Sequence, residues 1–489
     1  MKEKSIIISL NHGISIRNIL QTDIFSTLKK SGVKIIILTP NGDDPSFQKK
    51  YGSENIFFEK LEMDKYSKYF KKWKIQGVLK SIKWFTYNGK YDNPSTVTDW
   101  YNKVHKKEKQ SRRLIHKITN IFEKISIPIL RSSSKMRIFL IWLEEKLFSP
   151  SYHDDIFNKY KPQYLLVTSP GFFDFDQYII REARKHGIKI ISTILSWDNT
   201  STRGIGTCFP DHLIAWTDTM SKELIELHDT KPEKIFIGGA VQFDHYFNNG
   251  KNYSHTNFLS KFNLSNERKL IFFATKSPTG FPWNPDIIEI IAKAINNNEF
   301  FYPCQLLVRL HPIHFRRREG ALRFKDYFNK YDAIKKKYNH VSFNIPVIQS
   351  ESIAFDMPDT ELSDVASIFR YSNVMVNMFS TMNIEACIFD LPAINVSFEG
   401  ESHQDNKRPR DNIKIDEMQV HNQRIIQTGG VRVAYNREEL IKYINMYLEN
   451  PGTDREKRRI IVNEECGPNL GNAGKMIAGH ILNLVNYST

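Results

Sequence analysis

An apolar run at residues 306–308 ends in side chains that can bind phosphate. Arg309 follows the run directly, and His311 and Pro312 come next. Proline has no backbone N–H for a sheet, so a strand ends here and places His311 at its carboxyl edge. A protonated His311 could neutralise a phosphate, or the residue could simply bond backbone at the strand end. Arg309 could point along the strand toward the same ligand or into the structure.

A second apolar run, at residues 374–376, leads into two hydroxyl side chains. Ser380 and Thr381 come immediately before a helix predicted from about residue 382 to 389, and another strand is predicted at 393–397. The N-terminus of a helix has unpaired N–H groups and a partial positive charge. Ser380 and Thr381 are therefore predicted either to cap this helix or to hold a phosphate.

Alternating strands and helices must position these residues. The apolar runs predict strands at 5–10, 33–38, 164–168, 189–193, 212–216, 269–274, 306–309, 374–376 and 393–397. Strands that alternate with helices indicate parallel sheets, and such sheets bind ligands beyond the carboxyl ends of their strands. Lys276 and Ser277, in the loop after the strand at 269–274, are secondary candidates for phosphate binding.

The predicted fold class is α/β, with two Rossmann-like domains facing across a cleft. Residues 1–245 form the first domain, residues 246–470 the second, and residues 471–489 a helix that packs back on the first. The polar run 248–256 is predicted to link the domains, and one helix is predicted over 16–31, ending at Gly32. A length of 489 residues with 40% hydrophobic residues suits two cores.

The composition bears on the cellular compartment of the protein and on whether it spans a membrane. The four cysteines match no disulfide or metal-ligand spacing, so we expect reduced thiols, no metal and a cytoplasmic protein. No stretch approaches the roughly 18 apolar residues of a membrane span, and the first residues do not resemble a secretion signal.

The positive charge is concentrated in one segment, about 59–150, which we predict to be a helical insertion in the first domain. It holds 21 lysine and arginine residues against nine acidic ones, so it carries +12 of the net +15. Such a segment could meet nucleic acid, anionic lipid or an acidic glycan, or could be a solvated helical face. No nucleic-acid-binding motif is present. Because residues 137–148 are strongly apolar, peripheral contact with a membrane surface is a hypothesis.

Three motifs carry a family resemblance. They are G-x-x-x-F-D at 239–244, R-L-H-P at 309–312, and the hydroxyl pair followed by Glu385-Ala386 and Leu391-Pro392. Together they resemble the GT-B glycosyltransferase superfamily, nearest the branch of CDP-glycerol glycerophosphotransferases and bacterial Kdo and sialic-acid transferases. The resemblance implies that His311, Pro312, Ser380 and Thr381 contact the phosphate or base of the donor nucleotide, and that Glu385 holds its ribose.

The resemblance also implies a function. The expected reaction moves a sugar, such as an acidic Kdo, sialic or pseudaminic type, from a nucleotide-activated donor to a bacterial surface polysaccharide or lipid-linked glycan at the inner membrane, with no other cofactor. Phe379 stands in the place of the glycine-rich form of this motif, which favours CMP- and CDP-using relatives. The alternatives are CDP-glycerol transfer, UDP-sugar 2-epimerisation and a non-enzymatic basic binding protein.

Sugar transfer needs a base that removes the proton of the acceptor hydroxyl. Its candidates come from the first domain: Asp174 and Asp176, then Asp198, then His12. Asp176 could instead cap the helix that follows it, His12 could be a turn residue, and Asp198 could belong to a structural turn. A carboxylate base favours displacement with inversion at the transferred carbon.

Overall fold

The chain folds into two compact units. The computed structural model describes residues 4–91, 94, 97–98, 101–102, 114–172, 175–247, 253–315, 317–318, 321–322, 324–349, 353, 355–400 and 413–487. The first unit consists of Met1–His245, Ser352–Asp356 and Cys466–Thr489, and the second of Tyr246–Glu351 and Met357–Glu465. Three separate stretches of chain therefore build the first unit.

A seven-stranded sheet forms the centre of the first unit. Its strands are β1 (Ser5–Ser9), β2 (Lys34–Thr39), β3 (Ile56–Lys60), β4 (Tyr164–Val167), β5 (Lys189–Thr193), β6 (His212–Ala215) and β7 (Ile235–Ile237). All pair in parallel, in the order β3-β2-β1-β4-β5-β6-β7. Ile6, Ile7 and Ile8 are all fully buried, because helices cover both faces of the sheet. The strand order reverses between β1 and β4, which is where sheets of this kind bind ligands.

The helices of the first unit include those of the basic segment. They are α1 (Gly13–Leu20), α2 (Asp23–Lys30), α3 (Pro45–Tyr51), α4 (Met63–Lys72), α5 (Ile75–Trp84), α6 (Leu114–Ser132), α7 (Ser134–Leu147), α8 (Asp154–Tyr160), α9 (Asp176–Lys185), α10 (Asn199–Thr202) and α11 (Asp218–His228). The described part of residues 59–150 is mainly helical.

The single helix predicted over 16–31 is wrong, because the chain breaks between α1 and α2. Thr22 causes the break: its Oγ1 accepts the N–H of Ile24 at 3.4 Å and donates to the carbonyl of Asn18 at 2.9 Å. A threonine that caps a new helix in this way ends the old one. The predicted stop at Gly32 is confirmed by its φ of +77°, which suits glycine.

The chain returns to the first unit in a late helix, α21 (Ala473–Tyr487). Its apolar side packs in the core that contains Ile24 and Leu28 of α2. Asp244, the last residue of the G-x-x-x-F-D motif, fixes its start by accepting the N–H groups of Gly471 at 2.9 Å and Gly474 at 2.7 Å. This aspartate is therefore a helix cap.

The segment Ser352–Asp356 also returns to the first unit, where it meets the turn after β1. The ring of Phe355 lies 5.4 Å from that of His12. A Cβ atom at Gly13 would overlap the carbonyl group of Phe355. Glycine is therefore required at the start of α1 by the close approach of another backbone.

The second unit has a six-stranded parallel sheet. Its strands are β8 (Lys269–Ala274), β9 (Cys304–Arg309), β12 (Val341–Asn344), β13 (Val374–Asn377), β14 (Ala393–Val396) and β15 (Arg432–Ala434). They lie in the order β12-β9-β8-β13-β14-β15, while β10 (Arg317–Arg318) and β11 (Ala321–Leu322) form a separate antiparallel pair. Here the strand order reverses between β8 and β13.

The helices of the second unit pack on this sheet. They are α12 (His255–Phe262), α13 (Asn284–Asn296), α14 (Lys325–Lys337), α15 (Asp359–Tyr371), α16 (Met382–Ile388), α17 (Ile413–Glu417), α18 (Val420–Gln427), α19 (Arg437–Glu449) and α20 (Arg455–Cys466). Part of the predicted linker, residues 248–252, lies outside the described residues. Of the remainder, Ser254 caps α12, so residues 255–256 belong to this helix.

Two further features bear on the sequence-based expectations. The four cysteines are all buried with free thiols. Of the helices that the structure describes, none has both the length and the apolar character that crossing a bilayer requires.

Candidate functional site

Lys276 lies at the point where the strand order of the second sheet reverses. Its Nζ donates to the carbonyl of Met378, in the loop after β13, at 3.2 Å and to Oδ2 of Asp416 at 2.6 Å. The side chain of Asn284 fixes the backbone of Lys276, because it accepts the N–H of Lys276 at 2.9 Å and donates to its carbonyl at 3.0 Å. The fold thus fixes a cation at the edge where parallel sheets bind ligands.

The loop after β13 has a backbone conformation that favours glycine. Phe379 has a φ of +45°, which is uncommon for a side chain of this size, and its N–H donates to Oδ1 of Asn395 at 2.9 Å. Asn383 donates to the same oxygen at 2.9 Å and accepts from Asn377 at 2.9 Å. These three buried asparagines hold the loop in its strained form.

Sequence reasoning missed these three asparagines, although the sequence contains a signal for them. Asn377, Asn383 and Asn395 interrupt the apolar pattern of β13, α16 and β14. A polar side chain at a buried position must find a hydrogen-bond partner. Their occurrence in three neighbouring elements could therefore have indicated a network beneath the loop.

The hydroxyl pair at the start of α16 is only partly used within the chain. Ser380 Oγ accepts the N–H of Met382 at 3.3 Å, while Thr381 makes no capping hydrogen bond through its side chain. Glu385, on the same helix, accepts a hydrogen bond from the hydroxyl of Tyr246. Of the two roles expected for Ser380, the structure shows capping, and binding of a phosphate stays a prediction.

His311 follows β9 and is hydrogen-bonded to the end of the neighbouring strand β8, next to Lys276. Its N–H donates to Oγ1 of Thr275, directly after β8, at 2.8 Å, and its Nδ1 accepts the N–H of Ile313 at 3.1 Å. Burial, then electrostatic interaction with His314 and Lys276, lowers the pKa of His311 to about 4. The ring is therefore neutral at neutral pH, with its proton on Nε2, and acts as a hydrogen-bond donor rather than a cation.

Arg309 serves the structure of the second unit. Its guanidinium donates to Oε2 of Glu361 at 2.7 Å and to the side-chain oxygen of Asn344. Glu361 also accepts the N–H of Val347 at 2.9 Å. Because Arg309 and Glu361 are both buried, their contacts belong to the core and correspond to the structural alternative left open by the sequence. Ser277, in contrast, shares a hydrogen bond of 2.8 Å with Thr279 at the surface.

In the first unit, Asp176 lies beside the reversal of strand order between β1 and β4. Its carboxylate accepts the Nδ2 of Asn11, after β1, at 2.6 Å and the hydroxyl of Ser169, after β4. The expectation that Asp176 caps α9 is wrong, because Phe175 occupies the cap position and no side chain caps the helix. Burial raises the pKa of Asp176 to about 6, although the two hydrogen bonds oppose this rise.

The other proton-transfer candidates are engaged locally. Nδ1 of His12 accepts the N–H of Ile14 at 3.2 Å and so caps α1. Asp198, directly before α10, accepts the hydroxyl of Ser196 at 2.5 Å and that of Thr202 at 3.2 Å. Asp174 lies outside the described residues.

Comparison with known proteins identifies the fold. No protein-family model and no curated protein matches the chain in sequence. Among solved structures, it is similar to one described as a co-structure of S. aureus MnaA with UDP, at 11% identity over 99% of both chains and a TM-score of 0.53.

Two further solved structures give the same result. One is a putative UDP-N-acetylglucosamine 2-epimerase from Listeria monocytogenes, at 12% identity over 100% of this chain and 98% of that one, with a TM-score of 0.52. The other is UDP-GlcNAc 2-epimerase from Neisseria meningitidis bound to UDP-GlcNAc, at 12% identity over 98% and 99%, with a TM-score of 0.52. The GT-B-like fold with two Rossmann-like domains is thus confirmed.

Proposed function

We propose that the protein is an enzyme that acts on a nucleotide-activated sugar and that its second unit holds the nucleotide. The observation that carries this proposal is Lys276, a cation fixed at the reversal of strand order. His311 would add a neutral N–H donor and Ser380 a hydroxyl, so the set matches a phosphate group. Neighbours of the same fold were solved with UDP or UDP-GlcNAc, which supports a nucleotide-sugar ligand for this fold.

Inversion at carbon 2 of a UDP-sugar is the first candidate reaction. The solved structures of similar fold include one described as a UDP-GlcNAc 2-epimerase and one described as a putative UDP-N-acetylglucosamine 2-epimerase. The C2–H bond is not acidic by itself, so removal of its proton must form a double bond between C1 and C2 and expel UDP from C1. UDP then adds back to C1 as a proton is delivered to the opposite face of C2. The reaction therefore needs groups that exchange protons near neutral pH. Asp176, with a pKa of about 6, meets that requirement in the first unit.

Incubation with UDP-GlcNAc in deuterated water tests this reaction. Proton NMR should show loss of the C2–H signal and a new UDP-sugar that carries deuterium at C2. The Lys276→Met variant should bind and convert the sugar poorly, whereas Lys293→Met, a surface change in the same unit, should not differ from the wild type. Binding of UDP-GlcNAc without exchange at C2 would reject the epimerase reaction and keep the nucleotide site.

Transfer of the sugar to an acceptor is the second candidate. The basic segment 59–150 favours it, because a small-molecule epimerase has no use for a surface that can meet an anionic or lipid-linked glycan. The resemblance to CMP- and CDP-using transferases belongs here, with Kdo-, sialic- or glycerol-type donors. Asp176 would then remove the proton of the acceptor hydroxyl, and a carboxylate base predicts inversion at the transferred carbon.

A screen of nucleotides separates the donors. The melting temperature is measured with CMP, CDP, UMP, UDP, GDP and ADP, because a ligand at 100 times its dissociation constant adds about 2.7 kcal/mol of stability. Stabilisation by UDP favours a UDP-sugar, and stabilisation by CMP or CDP favours the transferase branch. If no nucleotide raises the melting temperature, the proposed nucleotide site is wrong.

A further inference from the structure

Helices α6 and α7 turn apolar side chains outward. On α6 these are Ile121, Phe122, Ile125 and Ile129, and on α7 they are Ile138, Phe139 and Trp142. Ile121 is 59% exposed and Trp142 50% exposed. Because side chains three and four positions apart share a face of a helix, each set forms one continuous stripe. Single exposed apolar residues are ordinary, but two adjoining stripes on paired helices are not.

The inner side of α7 carries charged residues as well as the buried Ile141. Arg137 of α7 is buried and donates to Asp229 at 2.5 and 2.7 Å. Glu144, about two helical turns further on, is buried with its carboxylate 2.5 Å from Nζ of Lys83, and Arg181 approaches it to 3.4 Å. A helix at a water-exposed surface normally buries its apolar stripe and exposes its charges. Here the inner sides bury charged residues beside Ile127, Leu130 and Ile141, while a second apolar set stays outside. The outer faces therefore fit a nonaqueous partner.

The charges that remain on the outside are positive. Lys124 of α6 and Lys135 and Lys146 of α7 are exposed. Among the described side chains of these two helices, the acidic ones are turned away: Glu123 and Glu144 are buried, and Glu145 lies 3.6 Å from Arg184. The partner therefore presents an apolar layer together with negative charge.

The turn between α4 and α5 extends this surface. Residues 71–75, Lys-Lys-Trp-Lys-Ile, are all exposed. The ring of Trp73 lies 6.1 Å from that of Phe148, which directly follows α7. Lysine and tryptophan at the border of an apolar face are typical of the boundary between lipid headgroups and acyl chains.

We propose that the outer faces of α6 and α7 form a docking surface for an anionic lipid bilayer, with the helices lying in the plane of the headgroups. Apolar side chains would enter the outer part of the acyl region while Lys124, Lys135 and Lys146 meet lipid phosphates. A second copy of the chain is a poorer occupant, because a twofold contact through these faces would bring lysines against lysines. The surface does not depend on which reaction the enzyme performs.

Vesicle flotation of the full chain tests this surface. Vesicles of phosphatidylcholine alone are compared with vesicles in which phosphatidylglycerol makes up about a quarter of the lipid. The wild type should float only with the second kind and should be released at high salt. The double variant Phe139→Ser/Trp142→Ser should bind at least about tenfold more weakly, as should Lys135→Glu/Lys146→Glu, since each lysine near a charged surface contributes about fivefold.

Matched changes elsewhere control for general effects. Phe301, which is 68% exposed, and Lys222, on α11, lie outside this surface. Phe301→Ser and Lys222→Glu should float like the wild type, and all variants should melt like it because every altered side chain is exposed. Failure of the wild type to float, or unchanged flotation of both surface variants, would overturn the proposal. So would a wild-type dimer in light scattering that the surface variants convert to a monomer, which would assign the face to a second copy.

Discussion

Lys276 and Asp416, 140 residues apart in the sequence, form an ion pair in which Nζ lies 2.6 Å from Oδ2. Their side chains are 20% and 23% exposed, so a ligand from solvent can reach the pair. The carboxylate fixes the position of the ammonium group before any ligand arrives. It also competes with a phosphate for the same charge, since both are anions.

Replacing Lys276 with methionine should weaken the binding of UDP. Loss of a hydrogen bond to a charged group costs about 1.5–3 kcal/mol, which corresponds to roughly a tenfold to hundredfold rise in the dissociation constant. Titration calorimetry measures this change. Lys293→Met, which removes a surface lysine of α13 paired with Glu289 at 3.7 Å, is the matched control and should bind normally.

Replacing Asp416 with asparagine should have the opposite effect on the binding of UDP. It removes the competing anion while an amide of the same shape keeps the loop in place, so binding of UDP should tighten by about 1 kcal/mol. If Lys276→Met and Asp416→Asn both weaken binding equally, the ion pair serves the loop rather than the ligand.

The Asp176→Asn variant should change how stability depends on pH. Because the pKa of Asp176 is about 6 in the folded protein, the native carboxyl keeps its proton at pH values where the unfolded chain has lost it. This contribution favours folding at low pH and is lost as the pH rises from about 4 through 6, by up to about 3 kcal/mol. Asparagine does not titrate, so the variant should gain stability relative to the wild type over this range.

Urea unfolding of both proteins at several pH values between about 4 and 7 measures that gain. The comparison isolates Asp176, because burial also raises the pKa values of Asp244 and Asp356 in both proteins and their effects cancel in the difference. Asp218→Asn, an exposed change on α11, serves as the control. A stability difference that does not vary with pH would contradict the assignment.

Arg309→Met should unfold the second unit more easily without changing its intrinsic affinity for a nucleotide. Removing one partner of a buried ion pair costs about 3–5 kcal/mol, because Glu361 is left charged in the core. Arg437→Met breaks the more exposed pair with Glu299 and should cost less than about 1 kcal/mol. Unfolding by urea gives both values. If the Arg309 variant has normal stability but binds UDP weakly, Arg309 contacts the ligand and does not serve the core.

Asp244→Ala should destabilise the first unit by about 1–3 kcal/mol, because backbone N–H groups at the start of α21 lose their acceptor. Chemical unfolding followed by circular dichroism measures the loss. The Asp218→Ala change should cost much less. An unaffected unfolding midpoint would show that water replaces the carboxylate fully.

Local rules predicted most of the strands and their ends. The predicted strand at 189–193 agrees with β5, because a short apolar run between polar residues indicates a buried strand. The helix predicted from about residue 382 to 389 agrees with α16, because hydroxyl side chains mark its start. The break at Thr22 was missed because the apolar spacing continues through it and only the threonine marks the new start.

Partners that are distant in the sequence could not be predicted. Asp176 stands at the start of a helix, where capping is the usual role, yet its partner Asn11 comes from the end of a strand 165 residues earlier. Lys276 was recognised as a phosphate candidate, but its link to Asp416 depends on how the strand order brings two loops together. Side-chain type predicts what a residue can bind, whereas topology decides what it meets.

The construction of the first unit from three stretches affects how the protein is made. Helix α21, which covers Ile24 and Leu28, is synthesised only after the whole of the second unit. At a translation rate of about 5–20 residues per second, the interval is on the order of tens of seconds. During that time the nascent first unit exposes the apolar surface that α21 will cover, while the second unit can already fold. The first unit is therefore completed after the second, although its synthesis begins earlier. This interval is when a chaperone could bind the exposed surface.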